Sequence, residues 1–209
     1  MALGTGCGGG KVNYELSPYA LKALEEVRQR IDERRQKTAY HESGHAVMAE
    51  YLGYPILKVS IVPEGNTNGR CCRETSMYDG LGETEARTQA VDNVLICFAG
   101  HAAESLLHRH PAPHAIDYIA SNGGGWDCKK AWALLPRILG ELDADATRKE
   151  RENYDKVCRA YLNYQVARAY KVIRAEPFRT VVKVLALELL GWDELSGEEA
   201  REVMAKALP

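Results

Sequence analysis

His41-Glu42-Ser43-Gly44-His45 sets two imidazoles and a carboxylate within a little over one turn of helix. Residues four apart on an α-helix share a face, so His41 and His45 can each aim a ring nitrogen at one zinc ion. Glu42 lies about 100° round the helix from His41. From there it can reach a water on the metal's open position and take its proton, the work of a general base in metal-assisted hydrolysis. A catalytic zinc needs a third protein ligand while its fourth position stays free. Four residues compete for that place. Asp127 opens a helix directly after Gly123-Gly124-Gly125, where a tightly turning chain can point a short carboxylate. Glu104 and His101 lie on an apolar helix, where a polar side chain needs a partner and a metal would be one. Asp117 lies in the loop between. Spacing alone does not choose, and Asp127 and Glu104 stand nearly level.

These residues must be held by helices. Thr38-Ala39-Tyr40 leads into the motif, apolar Ala46, Val47, Ala49, Tyr51 and Leu52 continue it, and Gly53-Tyr54-Pro55 stops it. Gly44 is anomalous, since a mid-helix Gly costs about 1 kcal/mol relative to Ala, and it implies a neighbour pressed against that face. Upstream, Ser17-Pro18 reads as a helix start, with Leu21, Leu24, Val27 and Ile31 at helical spacing. Residues 56–62 alternate like a strand ended by Pro63-Glu64-Gly65-Asn66, and residues 69–76 suit an antiparallel partner. From Thr84 a helix carries Val91, Val94, Leu95, Phe98, Ala102, Leu106 and Leu107, apolar widely enough to be central and buried. Pro111 and Pro113 end it, and a loop of about a dozen residues follows. Helices are expected over about 127–140, 144–175, 178–191 and 197–207. The predicted class is mainly α (α+β): a helical domain over 13–209 with a small antiparallel sheet and a C-terminal helical bundle.

Composition narrows the function. Lys+Arg of 27 against Asp+Glu of 29 gives a net charge of −2 over 209 residues, which argues against a general nucleic-acid binder. The most apolar stretch, 94–107, is interrupted by His101 and Glu104 and reads as too short for a membrane span. No secretory signal is evident, and the six cysteines form no C-x-x-C pair, so reduced thiols and a cytoplasmic location are expected. Gly4-Thr5-Gly6-Cys7-Gly8-Gly9 satisfies G-x-G-x-x-G, and Gly10-Lys11 echoes a phosphate loop. No strand precedes it and Val12 stands where a magnesium-binding Ser or Thr belongs, so residues 1–12 read as a flexible leader.

Several segments together resemble one family. Thr38-Ala39-Tyr40-His41-Glu42-Ser43-Gly44-His45-Ala46-Val47 is similar to the active-site helix of FtsH-type ATP-dependent zinc metalloproteases, which reads T-A-x-H-E-A-G-H-A-[VL]. Lys58 to Pro63 resembles the family's K-V-[ST]-I-[IV]-P strand. Phe98 to Glu104 resembles its L-x-G-R-A-A-E helix, with His101 in place of Arg. Ser121 to Asp127, then Lys130-Ala131, echoes the segment carrying its third zinc ligand, and Glu194 to Ala200 resembles its final E-x-L-x-G-E-E. The resemblance covers about residues 37–207.

That resemblance implies zinc ligands His41, His45 and Asp127, with Glu42 as general base and Glu104 hydrogen-bonded to a ligand histidine. It implies a polypeptide substrate paired along the edge of the strand pair. The family carries a membrane segment and an ATP-driven unfolding ring ahead of the peptidase, and the expectation for this chain is that it has neither. Trp126 replaces the Asn before the ligand Asp, Gly123-Gly124-Gly125 looks inserted, and the family's G-M-S segment has no counterpart around 134–142. The expectation is an endopeptidase for unfolded proteins or peptides, as a homo-oligomer or with a separate unfoldase. The alternative is a catalytically silent metal-binding interaction module that kept the fold.

Overall fold

The computed structural model describes residues 18–74, 82–107, 116–121 and 124–208. The Gly-rich leader, the Ser17 cap, residues 75–76 of the expected second strand and the two helix-ending prolines lie outside the described residues. The chain divides into two units, Met1–Arg34 and Arg35–Pro209. The described part of the first is helical from Pro18, with Val27 and Ile31 about half exposed.

Helix α1 runs from Pro18 to Tyr51 and carries the His41–His45 motif. Its burial changes abruptly: residues 25–37 are exposed, whereas Ala39, Ala46 and Ala49 are fully buried and Val47 and Met48 nearly so. Gly53, at φ +82°, ends the helix as expected, because a left-handed residue lets the Gly53 and Tyr54 N–H groups bond back to Glu50 and Ala49 carbonyls. The Glu50 carboxylate then accepts the Ile56 N–H, which steers the chain into a strand.

Strand β1 (Ile56–Ser60) is the centre of a three-stranded antiparallel sheet, flanked by β2 (Arg70–Arg73) and β3 (Glu194–Ser196). Val59 pairs with Cys71 on one side and Leu195 on the other. The expected strand pair is present, and β3 is an addition: three residues without a β-branched side chain give no periodicity to read. Immediately after β3, α7 (Gly197–Lys206) packs so close to the sheet that a Cβ at Gly197 would collide with the Ile56 carbonyl. Ser196 and Glu199 cap that helix reciprocally.

Helix α2 (Glu83–Glu104), continued by one 3-10 turn to Leu107, is buried without interruption from Val94 to Glu104. It is the central element predicted, and it packs chiefly on α4 (Gly125–Leu139) and α5 (Arg148–Arg174). By length and composition, 83–107 is also apolar enough to cross a membrane, which the sequence reading did not allow. With 67% of its apolar window buried inside the protein, the core accounts for that hydrophobicity. The expected loop before α4 holds a short helix, α3 (Ile116–Ser121), anchored by buried Ile116 and Ile119. Helix α5 begins at Arg148 and not near 144, because Thr147 and Glu150 form the capping box that sets its first turn. Helix α6 (Phe178–Trp192) ends in Asp193 at φ +63°, whose carboxylate pairs with Arg35 on the motif helix at 2.5 Å.

Gly44 has the crowded neighbour its position implied. An added Cβ would overlap the Ala99 carbonyl oxygen and lie 2.6 Å from the Ala103 methyl, so α1 and α2 cross at nearly backbone contact. The helix preference for Ala, about 1 kcal/mol, is smaller than an overpacking cost of about 1–3 kcal/mol. Gly44→Ala should therefore destabilise the protein in urea unfolding, although Ala is the better helix former; a gain in stability would contradict the crossing.

Candidate metal centre

The two helices run antiparallel where they cross, and each histidine bonds to α2 through its outer nitrogen. His45 Nδ1 lies 2.7 Å from the Ile96 carbonyl oxygen, and His41 Nδ1 lies 2.7 Å from Glu104 Oε1. Ile96, Gly100 and Glu104 fall at four-residue intervals along one face of α2, matching the stride of His41 and His45 on α1. A carbonyl oxygen only accepts, and an ionised carboxylate only accepts, so both Nδ1 atoms carry hydrogen and donate. Once it loses any proton at Nε2, each ring therefore turns a lone pair inward from that atom.

Those lone pairs face each other and a carboxylate. The Nε2 atoms are 2.9 Å apart, and Asp127 Oδ2 lies 3.2 Å from His41 Nε2 and 3.4 Å from His45 Nε2. Asp127 sits in the first turn of α4, and its second oxygen is 3.4 Å from Lys130 one turn on. Three acceptor atoms this close repel unless a proton or a cation lies among them. Four atoms at zinc bond lengths of about 2.1 Å would sit about 3.4 Å apart in a tetrahedron, close to these separations. The donor set, two imidazoles and a carboxylate, suits that ion chemically.

The other candidates for third ligand fall elsewhere. Glu104 is on the opposite side of the His41 ring, in the hydrogen bond expected for it, with Lys37 Nζ 3.2 Å from its other oxygen. His101 is buried with its Nδ1 3.7 Å from Glu104 and no hydrogen-bond partner among the described residues. Asp117 is in α3 and not a loop; its exposed carboxylate pairs with Arg159. His41, His101 and Glu104 thus form a second group of potential ligands, sharing one ring with the first. Sequence reasoning missed the Ile96 carbonyl, and no signal could have revealed it, since every residue has one. It also missed Lys37 and Lys130, although Lys130 sits three residues after an acidic side chain, a spacing that favours an ion pair on a helix.

Electrostatics follow from this crowding. Burial disfavours a charged ring at His41, but the Asp127 and Glu104 carboxylates outweigh it and push its pKa up to about 10. Burial likewise opposes ionisation at Asp127, yet His45 and His41 hold its carboxyl well below the usual range. Glu104 is held low against burial by the His41 hydrogen bond and Lys37. His101 is pushed down by burial. Glu42 is buried and makes no hydrogen bond or ion pair among the described residues. After burial, the Glu42 carboxylate contributes to pushing the Cys71 thiol of β2 upward, so Glu42 and the edge strand are neighbours. The five described cysteines are all free thiols, and burial raises Cys97 to about 12.

Two imidazoles in one helical turn and a carboxylate from a distant helix form a candidate metal-binding group on a mainly helical fold. Comparison with known proteins makes this specific. Residues 28–121 match peptidase family M41. The ATP-dependent zinc metalloprotease FtsH of Mycobacterium tuberculosis is 34% identical over 196 residues, covering 84% of this chain and 25% of that protein. FtsH of Cupriavidus metallidurans is 27% identical over 204 residues, 85% of this chain and 29% of that protein. FtsH of Marinobacter nauticus is 32% identical over 111 residues, 52% of this chain and 16% of that protein. Together these matches support an FtsH-type peptidase domain, with the M41 match lying at residues 28–121. It spans less than a third of the length of these relatives. The family match ends at residue 121, before Asp127, so that residue's placement rests on the geometry above.

The charge pattern dictates how the metal-free protein responds to pH. Asp127 and Glu104 titrate below their unfolded values, so their contribution is present above about pH 4 and lost on acidification. His41 titrates above its unfolded value, so its contribution is full below about pH 6.5 and fades as pH rises through about 10. Melting temperatures in chelator should be highest near pH 5–6 and fall toward pH 10, with a shallower alkaline fall in Glu104→Gln. A flat profile from pH 6 to 10 would contradict the raised His41 pKa.

Proposed function

We propose that this chain is a zinc-dependent endopeptidase for unfolded polypeptides, holding the metal with His41, His45 and Asp127 and using Glu42 as general base. One observation carries the proposal: two imidazole lone pairs and a carboxylate oxygen converge within 3.4 Å, with both rings locked from behind as donors. Such an arrangement has a natural occupant in a cation. The zinc-protease names of the relatives support zinc as that cation. Two neutral ligands and one anion would leave the ion a net positive charge, so it would supply Lewis acidity for a scissile carbonyl and its attacking water.

The remaining steps belong to the protein. Glu104 accepts the His41 Nδ1 hydrogen, which fixes the ring and strengthens Nε2 as a donor. Lys130 engages Asp127 Oδ1 and leaves Oδ2 for the imidazole side. Glu42, buried without a competing partner among the described residues, takes the proton of the attacking water and returns it to the amine nitrogen as the C–N bond breaks. Strand β2 is an edge strand beside Glu42, so an extended substrate can add to it through backbone hydrogen bonds. A folded substrate has those groups already paired, which favours unfolded chains.

Glu42→Gln should retain the zinc content of the wild type yet lose casein cleavage by about 10²-fold or more, the scale of a general base. Asp127→Ala should lose zinc. Zinc analysis and cleavage of casein, set against a tightly folded protein, check both. Full activity in Glu42→Gln would refute the mechanism, and a zinc-loaded wild type no more active than Glu42→Gln would favour a silent metal-binding module.

A further inference from the structure

Two glycines bound the candidate centre, and neither is required by backbone conformation. The described glycines with positive φ are Gly53, Gly65 and Gly140; Gly100 and Gly69 are not among them. At those two positions any residue could adopt the backbone, so the missing Cβ is what distinguishes glycine.

Gly100 lies on α2 between Ile96 and Glu104, directly beneath the histidine pair. A Cβ there would sit 2.6 Å from His45 Nε2 and 2.8 Å from both Nε2 and Cε1 of His41. Its nearest neighbours would be the two donor atoms themselves. Neither ring can retreat, because each is tied from behind to the same helix, at Ile96 and at Glu104. Gly69 stands just before β2. A Cβ there would lie 2.7 Å from the Ser60 carbonyl oxygen, 2.7 Å from Thr38 Cγ2 and 2.9 Å from Glu42 Cγ. The Ser60 carbonyl belongs to β1 and is fixed by the sheet, so Thr38 and Glu42 must give way.

We infer that Gly100 and Gly69 are positioning residues with separable duties: Gly100 clears the space in which the two imidazole nitrogens bind metal, and Gly69 clears the space that sets Glu42. The inference rests on the endopeptidase reading and deepens it. The α2 backbone closes one side of the donor group, so metal and substrate must approach from another. A side chain at residue 100 intrudes on the metal's ligands, whereas one at residue 69 displaces only the base. A displacement of about 1 Å in a catalytic group costs on the order of 10²-fold in rate.

The test compares full-length wild type, Gly100→Ala, Gly69→Ala and Gly69→Ala/Thr38→Ser. The readouts are zinc affinity, the visible spectrum of the cobalt-substituted protein, melting temperature in chelator, and kcat and KM for a peptide. Gly100→Ala should keep a cooperative melt in chelator while binding zinc at least about 10-fold more weakly, the scale for disturbing a ligand's support. Its cobalt spectrum should differ from that of the wild type. Gly69→Ala should keep the wild-type zinc affinity and cobalt spectrum while kcat falls about 10²-fold with KM little changed. Removing the Thr38 methyl gives the new Cβ somewhere to lean, so the double variant should recover part of kcat.

Wild-type zinc affinity in Gly100→Ala, or wild-type kcat in Gly69→Ala, would overturn the inference while leaving the endopeptidase reading intact. Loss of zinc in Gly69→Ala, or no recovery of kcat in the double variant, would also overturn it, because the two duties would not be separable or steric. A Gly100→Ala protein without a cooperative melt in chelator would also overturn the Gly100 assignment, because the glycine would then serve folding and not the metal ligands. A wild type that neither binds zinc nor cleaves peptide would instead remove the endopeptidase reading.

Discussion

The site depends on two hydrogen bonds that point away from it. By taking the Nδ1 hydrogens of His45 and His41, the Ile96 carbonyl and the Glu104 carboxylate turn both Nε2 lone pairs inward. Without these acceptors each ring could flip or change tautomer, and the donor pair would lose its common direction. The same two bonds fix how α1 and α2 lie against each other, since one stride of four residues on each helix must match. Gly44 follows from that match, because the helices can register only at near backbone contact.

Helix α2 is therefore more than a core element. Its buried side packs on α4 and α5, which carries Asp127 to the donor pair from 82 positions beyond His45 in the chain. Its other face supplies an acceptor at each end of the histidine pair and bare backbone between them. The cost is a group of charges in a buried place: Glu104, Asp127 and two imidazoles, balanced at the edges by Lys37 and Lys130. A protein would not keep such a cluster for stability, because burying paired charges is at best roughly neutral. It is the arrangement expected where a cation must be held.

Much of this was legible in the chain, for reasons that differ by residue. The His41–His45 spacing is a local helical property, so its geometry follows from four residue steps of regular helix and needs no tertiary information. The anomaly at Gly44 was readable because a helix interior penalises glycine, and the crossing with α2 explains it. Gly100 carried the same signal inside an equally apolar helix and went unread, since its neighbours across the crossing are invisible in sequence. The choice between Asp127 and Glu104 could not be made from spacing, because both are acidic residues on helices near apolar segments. Only the fold shows that they address opposite nitrogens of His41. Strand β3 and helix α3 escaped because three and six residues are too few to establish a period.

X-ray absorption at the zinc edge, on protein loaded with one equivalent of metal, tests the central claim most directly. Two imidazole nitrogens at about 2.0–2.1 Å, an oxygen shell at about 2.0–2.2 Å and no sulfur are expected, with one imidazole lost in His41→Ala. A sulfur shell at about 2.3 Å, or a spectrum unchanged by replacing His41, His45 or Asp127, would contradict it.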